Sequence, residues 1–587
     1  MTKEEIAQKL EEIAAILEIK GENPFKVRAY YNAARVVSGI TEDLGALIGK
    51  NQLVAIKGIG KNLAEHIQEL YETGHLKEYE KIIASVPAGV LEMLRIPGVG
   101  PKKVKVLWGK LRITSISGLE HSCHAGRVAT LEGFGEKTQT KILEGIAQIK
   151  KHEGKFLYAM ALSAIEPIFE KMAKHPKVKI AEVCGSLRRC KEIVGDADIL
   201  LATASPKEVS DFFVKLPQVE RVLAHGETKS SVMLKMGMQC DLRCVTVEEF
   251  PSALHYFTGS KEHNVAMRQI AQEKGMKMNE YGLFTLRPFD PSTSSGLRVS
   301  GAGGERLILC KDEAKLFEKL GMEYIPPEMR ENIGEIEAAK AHKIPKLVEV
   351  KDIRGVFHCH STWSDGTASI EEMALGAKAL GLEFIGTADH SEAAHYAGGL
   401  NAKRVQEQFK EIDRLNKKLK GIHIFKGIEA DILPDGEVDL GEKVLSTFDY
   451  VVASVHSKFN MTEEEMTKRI IKAIKNKTVR ILGHMTGRLL LSREGYPVNL
   501  ADVVKACVDY DVAIEINSSP MRLDIDWRNI PFAKEKGAMF VINPDAHSVS
   551  GIANYRYGVG IARKGWLTAK DILNTRSIEE IAKWLKK

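Results

Sequence analysis

At 587 residues the chain can hold about four compact units of roughly 150 residues each, which excludes a single small binding module. Hydrophobic residues at 44% and charged residues at 28% match ordinary globular usage, so a disordered, collagen-like or disulfide-scaffold protein is excluded. The net charge of +6 permits nucleic-acid binding without requiring it. No apolar run approaches the ~18 residues of a membrane span. Met1-Thr2-Lys3-Glu4-Glu5 carries charge where a signal peptide needs an apolar core, and eight scattered cysteines include no Cys-x-x-Cys pair. A cytosolic protein with no membrane partner and no cysteine-rich zinc module is therefore expected.

The first 150 residues read as helices, with apolar residues at helical spacing in Ile6, Leu10, Ile13 and Leu17 and again in Leu63, Ile67 and Leu70. Three glycine hairpins punctuate them: Gly58-Ile59-Gly60-Lys61, Gly98-Val99-Gly100-Pro101-Lys102 and Gly133-Phe134-Gly135-Glu136-Lys137. A single Gly-x-Gly is explained by a tight turn between helices. Three copies, each followed by lysine, point to helix-hairpin-helix modules in which glycine lets the backbone approach a phosphate and the next helix offers unpaired N–H groups. The expected partner is a nucleic-acid backbone, bound without base sequence.

From about 155 to 250 the pattern becomes mixed, with strand-like runs at 180–183, 197–202, 232–236 and 241–247. Gly185-Ser186-Leu187-Arg188-Arg189 precedes Gly195-Asp196-Ala197-Asp198. Residues i and i+2 of a strand share a face, so Asp196 and Asp198 point together while Ala197, Ile199 and Leu201 face a core. Asp241 stands in another strand-like run. Two unit charges about 4 Å apart repel by roughly 4 kcal/mol at an effective dielectric of 20. Divalent cations relieve this, and carboxylate oxygens suit Mg²⁺ or Mn²⁺ in a two-metal phosphoryl transfer. Ser186 and Arg189, where a helix begins, are placed to grip nucleotide phosphates. Residues 251–285 return to helix, a Ser-, Gly- and Pro-rich loop covers 287–305, and the charged stretch 328–352 reads as a linker.

Taken alone, Asp-x-Asp is a weak signal. The segment resembles the palm of family X DNA polymerases, and the resemblance continues through Tyr256-Phe257-Thr258-Gly259-Ser260, Asn264, Arg268, Glu273-Lys274-Gly275 and Asn279-Glu280-Tyr281, which are similar to the thumb of DNA polymerase beta. It implies that Asp196 and Asp198 bind both metals and that Asp241 completes the site and accepts the primer 3′-hydroxyl proton. It further implies that Asn264 meets the incoming nucleotide, Arg268 the template minor groove, and Tyr256 and Phe257 the sugar. His66 stands where lyase-active members carry the Schiff-base lysine, and imidazole forms no stable imine, so classical lyase activity is not expected. Gln239 stands where DNA polymerase beta carries a basic residue, so the resemblance implies a weakened contact near the primer end.

From Arg354 onward, short apolar runs alternate with amphipathic helices: 355–360, 384–389, 423–429, 450–456, 480–484, 512–517 and 539–544. Seven strand–helix repeats predict a parallel, barrel-like α/β domain. At or just beyond the ends of these runs lie His358, His360, Asp365, His390, Glu429, His456, His484, Asp545 and His547. His395 and His423 are expected to be structural. Six of eight histidines at strand ends, with three carboxylates, are difficult to explain as packing, and the mixture suits Zn²⁺, Mn²⁺ or Fe²⁺, up to three ions.

The motifs His-x-His, Asp-His, Gly-Ile-Glu, Val-His, Gly-His and Pro-Asp-Ala-His resemble, in order, those of the PHP (polymerase and histidinol phosphatase) superfamily. The chain thus resembles, from about residue 1 to 575, bacterial and archaeal family X DNA polymerases with a C-terminal PHP domain. The expected organisation is multidomain: an all-α helix-hairpin-helix DNA-binding region (1–90) and fingers-like helical domain (91–155), an α+β nucleotidyltransferase palm (156–250) and thumb (251–335), a linker (336–353), and a (β/α)7-type distorted-barrel PHP domain (354–587). The implied function is metal-dependent gap filling in DNA repair, with 3′→5′ exonuclease or 3′-end phosphoesterase action. Gapped or primer-template DNA and deoxynucleoside triphosphates are the expected partners of a cytoplasmic, nucleoid-associated monomer. Two alternatives differ in one half each: a PHP domain serving only as a structural metal platform, or a DNA-binding phosphatase without polymerase activity.

Overall fold

The computed structural model describes residues 3–40, 44–285 and 306–586. The loop expected over 287–305 lies outside them. The chain divides into two compact units, Met1–Glu153 and Gly154–Lys587.

The first unit is built from helices, the longest being Lys3–Lys20, Pro24–Gly39, Lys61–Thr73, Pro101–Leu111 and Gly135–Lys151. Ile6, Leu10, Ile13 and Leu17 share one core with Leu63, Ile67 and Leu70, which is what their helical spacing anticipates. Asn23 caps the second helix by accepting the Phe25 N–H, so the Gly21–Asn23 turn stops one helix and starts the next.

In the second unit, strands β1 (Phe156–Leu157), β2 (Val178–Val183), β3 (Ile193–Val194), β4 (Asp196–Thr203), β5 (Val219–His225), β6 (Lys229–Leu234) and β7 (Gln239–Val245) come first. β1 pairs with β3. The others form a sheet ordered β2-β4-β7-β6-β5, antiparallel except where β4 runs parallel to β7. Ala197, Ile199 and Leu201 of β4 join Cys240, Leu242 and Cys244 of β7 in the core on one face. Helices Phe250–Thr258 and Lys261–Glu273 follow.

The helical reading of 251–285 then gives way to a hairpin of β8 (Met276–Asn279) and β9 (Gly282–Thr285), joined by β10 (Arg306–Ile308). Asn279 Oδ1 accepts the N–H groups of Tyr281 and Gly282, a side-chain turn that reverses the chain.

The C-terminal strands are β11 (Gly355–Cys359), β12 (Phe384–Thr387), β13 (His423–Phe425), β14 (Gly427–Asp431), β15 (Tyr450–Ser454), β16 (Val479–Leu482), β17 (Ala513–Asn517) and β18 (Phe540–Asn543). Every pairing is parallel, in the orders β11-β12-β13 and β14-β15-β16-β17-β18. The single run read over 423–429 is divided at Lys426, its two halves pairing with β12 and β15. A bridge between Cys359 and Ala546, just beyond β18, and a hydrogen bond from Phe357 N to Asn543 Oδ1 (3.0 Å) bring the end of β18 back beside β11, and a bridge between His390 and Glu429 links the two sheets at β12 and β14, so together they curve into a distorted barrel.

The stretch 336–353, expected to be a linker, is folded. Ile336, Ala339 and Leu347 pack with Met267 and Phe317 of the thumb region, and Val348 is fully buried, its N–H bonded to Leu567 O at 3.0 Å. Abundant lysine and glutamate between these apolar residues conceal their burial in a linear reading. Val348→Ala is expected to cost about 2 kcal/mol of stability, read from urea unfolding; a solvated linker would lose nothing.

Candidate active sites

Gly58, Gly98 and Gly133 adopt φ of 103°, 77° and 83°, the left-handed turn that brings each hairpin around. Gly60 and Gly100 are N-caps of the helices starting at Lys61 and Pro101, whereas Gly135 (φ 59°) opens its own helix. Lys61, Lys102 and Lys137 are exposed. The three hairpins therefore present helix N-termini with an adjacent cation, a combination that attracts phosphate. His66 is held between Tyr30 OH (3.0 Å from Nδ1) and Glu78 (3.2 Å from Nε2).

In the palm, the parallel register of β4 and β7 sets Asp198 directly beside Asp241, with Asp196 two residues earlier on the same face. Burial, then the charges of Asp196 and Asp241, push the Asp198 carboxyl up to about 7. Lys229 Nζ lies 3.5 Å from Asp241 Oδ2, and Gln239 Nε2 donates to Asp241 Oδ1 at 2.8 Å. Gln239, read in sequence as a lost primer contact, thus holds a carboxylate of the site. Gly185, at φ 65°, allows the chain to pass over Asp198: a Cβ there would lie 2.5 Å from Asp198 Oδ2. Three acidic side chains with one nearby lysine and a raised carboxyl pKa fit divalent cations.

Ser186 is half-buried in the short helix Gly185–Arg188. Arg189 is turned inward: its Nε meets Glu331 Oε1 at 3.0 Å and its Nη1 donates to Thr258 O at 2.8 Å. Arg188 similarly reaches Thr258 Oγ1 and Glu313 Oε2. Asn264 Nδ2 donates to the carbonyls of Tyr256 (2.6 Å) and Gly259 (3.3 Å), fixing the backbone of the Tyr256–Gly259 segment. Its buried Oδ1 has no hydrogen-bond partner among the described residues. The Tyr256 and Phe257 rings meet edge to face with centroids 5.1 Å apart, and Arg268 is exposed one helical turn beyond Asn264.

In the barrel all nine expected residues converge. Glu429 lies at the centre: His390 Nδ1 is 3.1 Å, His456 Nε2 3.3 Å, His484 Nε2 3.0 Å, His358 Nε2 3.4 Å and His360 Nε2 3.7 Å from its oxygens. Asp545 Oδ1 is 3.3 Å from His360 Nε2, and Asp365 Oδ1 is 3.4 Å from His547 Nε2. Three sets of side chains have ligand atoms close enough to share an ion: His360, Asp365, His390 and His547; His358, His360 and Asp545; His390, Glu429 and His456. His484 belongs to none of these sets and reaches the cluster through Glu429.

His358 Nε2, both ring nitrogens of His360, and His390 Nδ1 are buried without a hydrogen-bond partner among the described residues. Such orphans are costly in a folded protein, and metal ions would satisfy them. The donor set fits. Burial and the neighbouring His547 push His360 down to about 3, leaving it a neutral imidazole able to coordinate.

Several supporting residues escaped the sequence reading. His358 Nδ1 meets Glu515 Oε1 at 2.6 Å, and His456 Nδ1 meets Asp431 Oδ1 at 2.6 Å, which orients both rings toward the cluster. Asn517 Nδ2 contacts Glu515 Oε2 and Asp545 Oδ2 at 3.1 Å each. Asp389 instead accepts from Ser361, Ser364 and Gln408, holding the β11–β12 loops. The alternation Glu429-x-Asp431 and Glu515-x-Asn517 within apolar strands was the available signal, since i and i+2 share a face. Arg522 Nε lies 3.4 Å from Asp545 Oδ2 and its Nη1 has no partner among the described residues. The cluster opens to solvent at Asp365 and His547, whose side chains are 35% and 39% exposed.

DNA polymerase/3′-5′ exonuclease PolX of Bacillus subtilis (strain 168) is 37% identical over 589 aligned positions covering 100% of each chain. The chain belongs to the family X DNA polymerases that carry a PHP domain. Within this family X chain, residues 253–331 match the DNA polymerase beta thumb, 357–519 the PHP domain, 1–76 a helix-hairpin-helix domain and 90–148 a SAM-like helix-hairpin-helix tandem. DNA polymerase lambda of Rattus norvegicus is 25% identical over 347 residues, 56% of each chain. A probable phosphatase of Thermoanaerobacter sp. (strain X514) is 31% identical over 247 residues, 39% of this chain and 93% of its own.

The palm carboxylates have a stability consequence. The folded pKa of Asp198, about 7, lies above the ~3.9 of an unfolded aspartate. Its ionisation therefore costs stability, nothing below the unfolded value and fully above the folded one. In chelator, Asp198→Asn is expected to raise the Tm by a few degrees near pH 8 and to leave it unchanged near pH 4, as scanning calorimetry would read. In the barrel, Asp431→Ala is expected to weaken metal retention ~10–100-fold, measured by ion content after graded chelator dialysis.

Proposed function

We propose that this family X polymerase fills short gaps in DNA during repair, and that its PHP domain removes 3′-terminal nucleotides from the same DNA ends. The observation that carries the reading is the end-to-end similarity to a protein named both DNA polymerase and 3′-5′ exonuclease, in a chain that assembles an acidic triad and an imidazole–carboxylate cluster in separate sheets. The complete barrel ligand set speaks against a purely structural PHP domain, since a platform without catalysis needs no exposed opening at Asp365 and His547.

In extension, the primer 3′-oxygen attacks the α-phosphorus of a deoxynucleoside triphosphate, the bond to the β-phosphate oxygen breaks, and pyrophosphate leaves. Asp241 takes the 3′-hydroxyl proton, held for that role by Gln239 and Lys229. Asp196 and Asp198 would hold the divalent cations, Mg²⁺ or Mn²⁺, which supply charge opposite the attacking and leaving oxygens. Gly185, Ser186 and Arg189 take the phosphates. The Tyr256–Gly259 backbone fixed by Asn264 lines the sugar, and Arg268 reads the minor groove. The hairpins at Gly58–Lys61, Gly98–Lys102 and Gly133–Gly135 hold the DNA backbone, which suits an enzyme that must act at any sequence.

In degradation, water attacks the terminal phosphodiester and its bond to the penultimate 3′-oxygen breaks, releasing a nucleoside monophosphate. His358, His360, Asp365, His390, Glu429, His456, His484, Asp545 and His547 would hold up to three Zn²⁺, Mn²⁺ or Fe²⁺ ions. Arg522, whose Nη1 has no partner among the described residues, serves as a counter-charge for the phosphate. The protein acts as a monomer in the cytoplasm, on the nucleoid; among the described residues no helix is long and apolar enough to cross a membrane.

Asp198→Ala is expected to abolish primer extension on gapped DNA while leaving 3′-end degradation intact, and His360→Ala to do the reverse. Gel assays with Mn²⁺ would read both. Loss of both activities in either folded variant would reject independent sites.

A further inference from the structure

The PHP domain supplies a lysine to the polymerase half. Helix Tyr555–Lys564 ends on Lys564, whose side chain is fully buried. Its Nζ contacts Glu331 Oε1 at 2.6 Å, the backbone carbonyl of Arg189 at 3.1 Å and that of Glu328 at 3.3 Å, and it lies 4.5 Å from the centre of the Trp527 ring. The Glu331 oxygen it holds is the one bonded by Arg189 Nε. Lys191 Nζ stands 3.8 Å from the other oxygen. Glu331 is 8% exposed, and against the upward push of burial Lys564, then Arg189, hold its carboxyl below the ordinary range.

In this arrangement Arg189 gives its Nε to Glu331 and its Nη1 to Thr258 O, so it can turn those donors to a phosphate only by leaving them. Were Arg189 the sole partner, its departure would strand a buried carboxylate, which is strongly unfavourable. Lys564 and Lys191 remain to neutralise Glu331. Lys564 also grips the carbonyl of Arg189 itself, so the backbone stays in place while the guanidinium turns.

We infer that Lys564 is a positioning residue of the polymerase site: by keeping Glu331 paired, the PHP domain releases the Arg189 guanidinium for the triphosphate of the incoming nucleotide. This rests on the proposed reading of Arg189 as a phosphate ligand. The neighbouring contacts fix the register: Trp527 Nε1 and Arg528 Nη1 donate to Glu192 at 3.1 and 2.8 Å, and Arg563 Nε to Glu328 at 2.7 Å.

Single-turnover extension on gapped DNA by the full chain tests it, reading nucleotide Kd and maximal rate separately, with degradation of single-stranded DNA as a check of folding. Lys564→Met is expected to raise nucleotide Kd about tenfold with degradation unchanged. Lys564→Arg should retain affinity, and the double variant Lys564→Met/Glu331→Gln, which removes both buried charges, should restore it. Should Lys564→Met fail to fold, Glu331→Gln alone suffices: affinity equal to or tighter than that of the unmodified chain supports the inference, and weaker affinity overturns it. A raised Kd that Glu331→Gln does not repair indicates a general scaffold and overturns the inference. An unchanged Kd in Lys564→Met beside a raised Kd in Arg189→Met overturns it too, leaving the reading of Arg189 standing. An unchanged Kd in Arg189→Met removes that reading, and the inference with it.

Discussion

The constraint that organises this protein is electrostatic. Each candidate site gathers groups in unfavourable company: carboxylates beside one another in the palm, and buried imidazole nitrogens without hydrogen-bond partners among the described residues in the barrel. Left to themselves such groups would separate or solvate. They stay together because each sits on a strand whose backbone hydrogen bonds and apolar neighbours hold it there. Ala197, Ile199 and Leu201 anchor the palm acids from behind, as the fully buried β14 and β17 anchor Glu429 and Glu515.

The two sites differ in donor chemistry, and the difference follows from what surrounds them. In the palm only oxygen donors converge, and one of them is tuned by a glutamine amide and a lysine. Hard, strongly hydrated cations suit such a set. In the barrel, nitrogen donors dominate and two of the rings are fixed by carboxylates behind them, which favours ions with affinity for imidazole. The two sites thus present different donor sets, oxygen alone in the palm and mostly imidazole in the barrel.

Within Gly154–Lys587 the polymerase and PHP portions meet through charged contacts, buried at Lys564–Glu331 and half-exposed at Arg528–Glu192. Buried ion pairs contribute little net stability against apolar packing of the same volume, but they penalise misplacement heavily. A joint built from Glu192, Glu328, Glu331, Arg528, Arg563 and Lys564 therefore specifies position more than it adds strength.

Much was legible in the linear sequence because the relevant signals are periodic. Asp196 and Asp198, or His358 and His360, two apart in apolar strands, announce a shared face, and ligands recurring at strand ends announce a barrel mouth. Sequence similarly determined which residues can ligate metal, and that three hairpins expose helix N-termini. Only the tertiary structure decided which strand lies beside which, and so that Asp198 faces Asp241, that Gln239 serves a carboxylate, and that Glu515 and Asp431 stand behind histidines. It also decided that 336–353 is packed and that Arg189 is drawn toward Glu331 and Lys564. The physical reason is one of range. Periodicity reports the face a residue occupies on its own element, whereas partners 142 or 233 positions away are selected by how the elements pack.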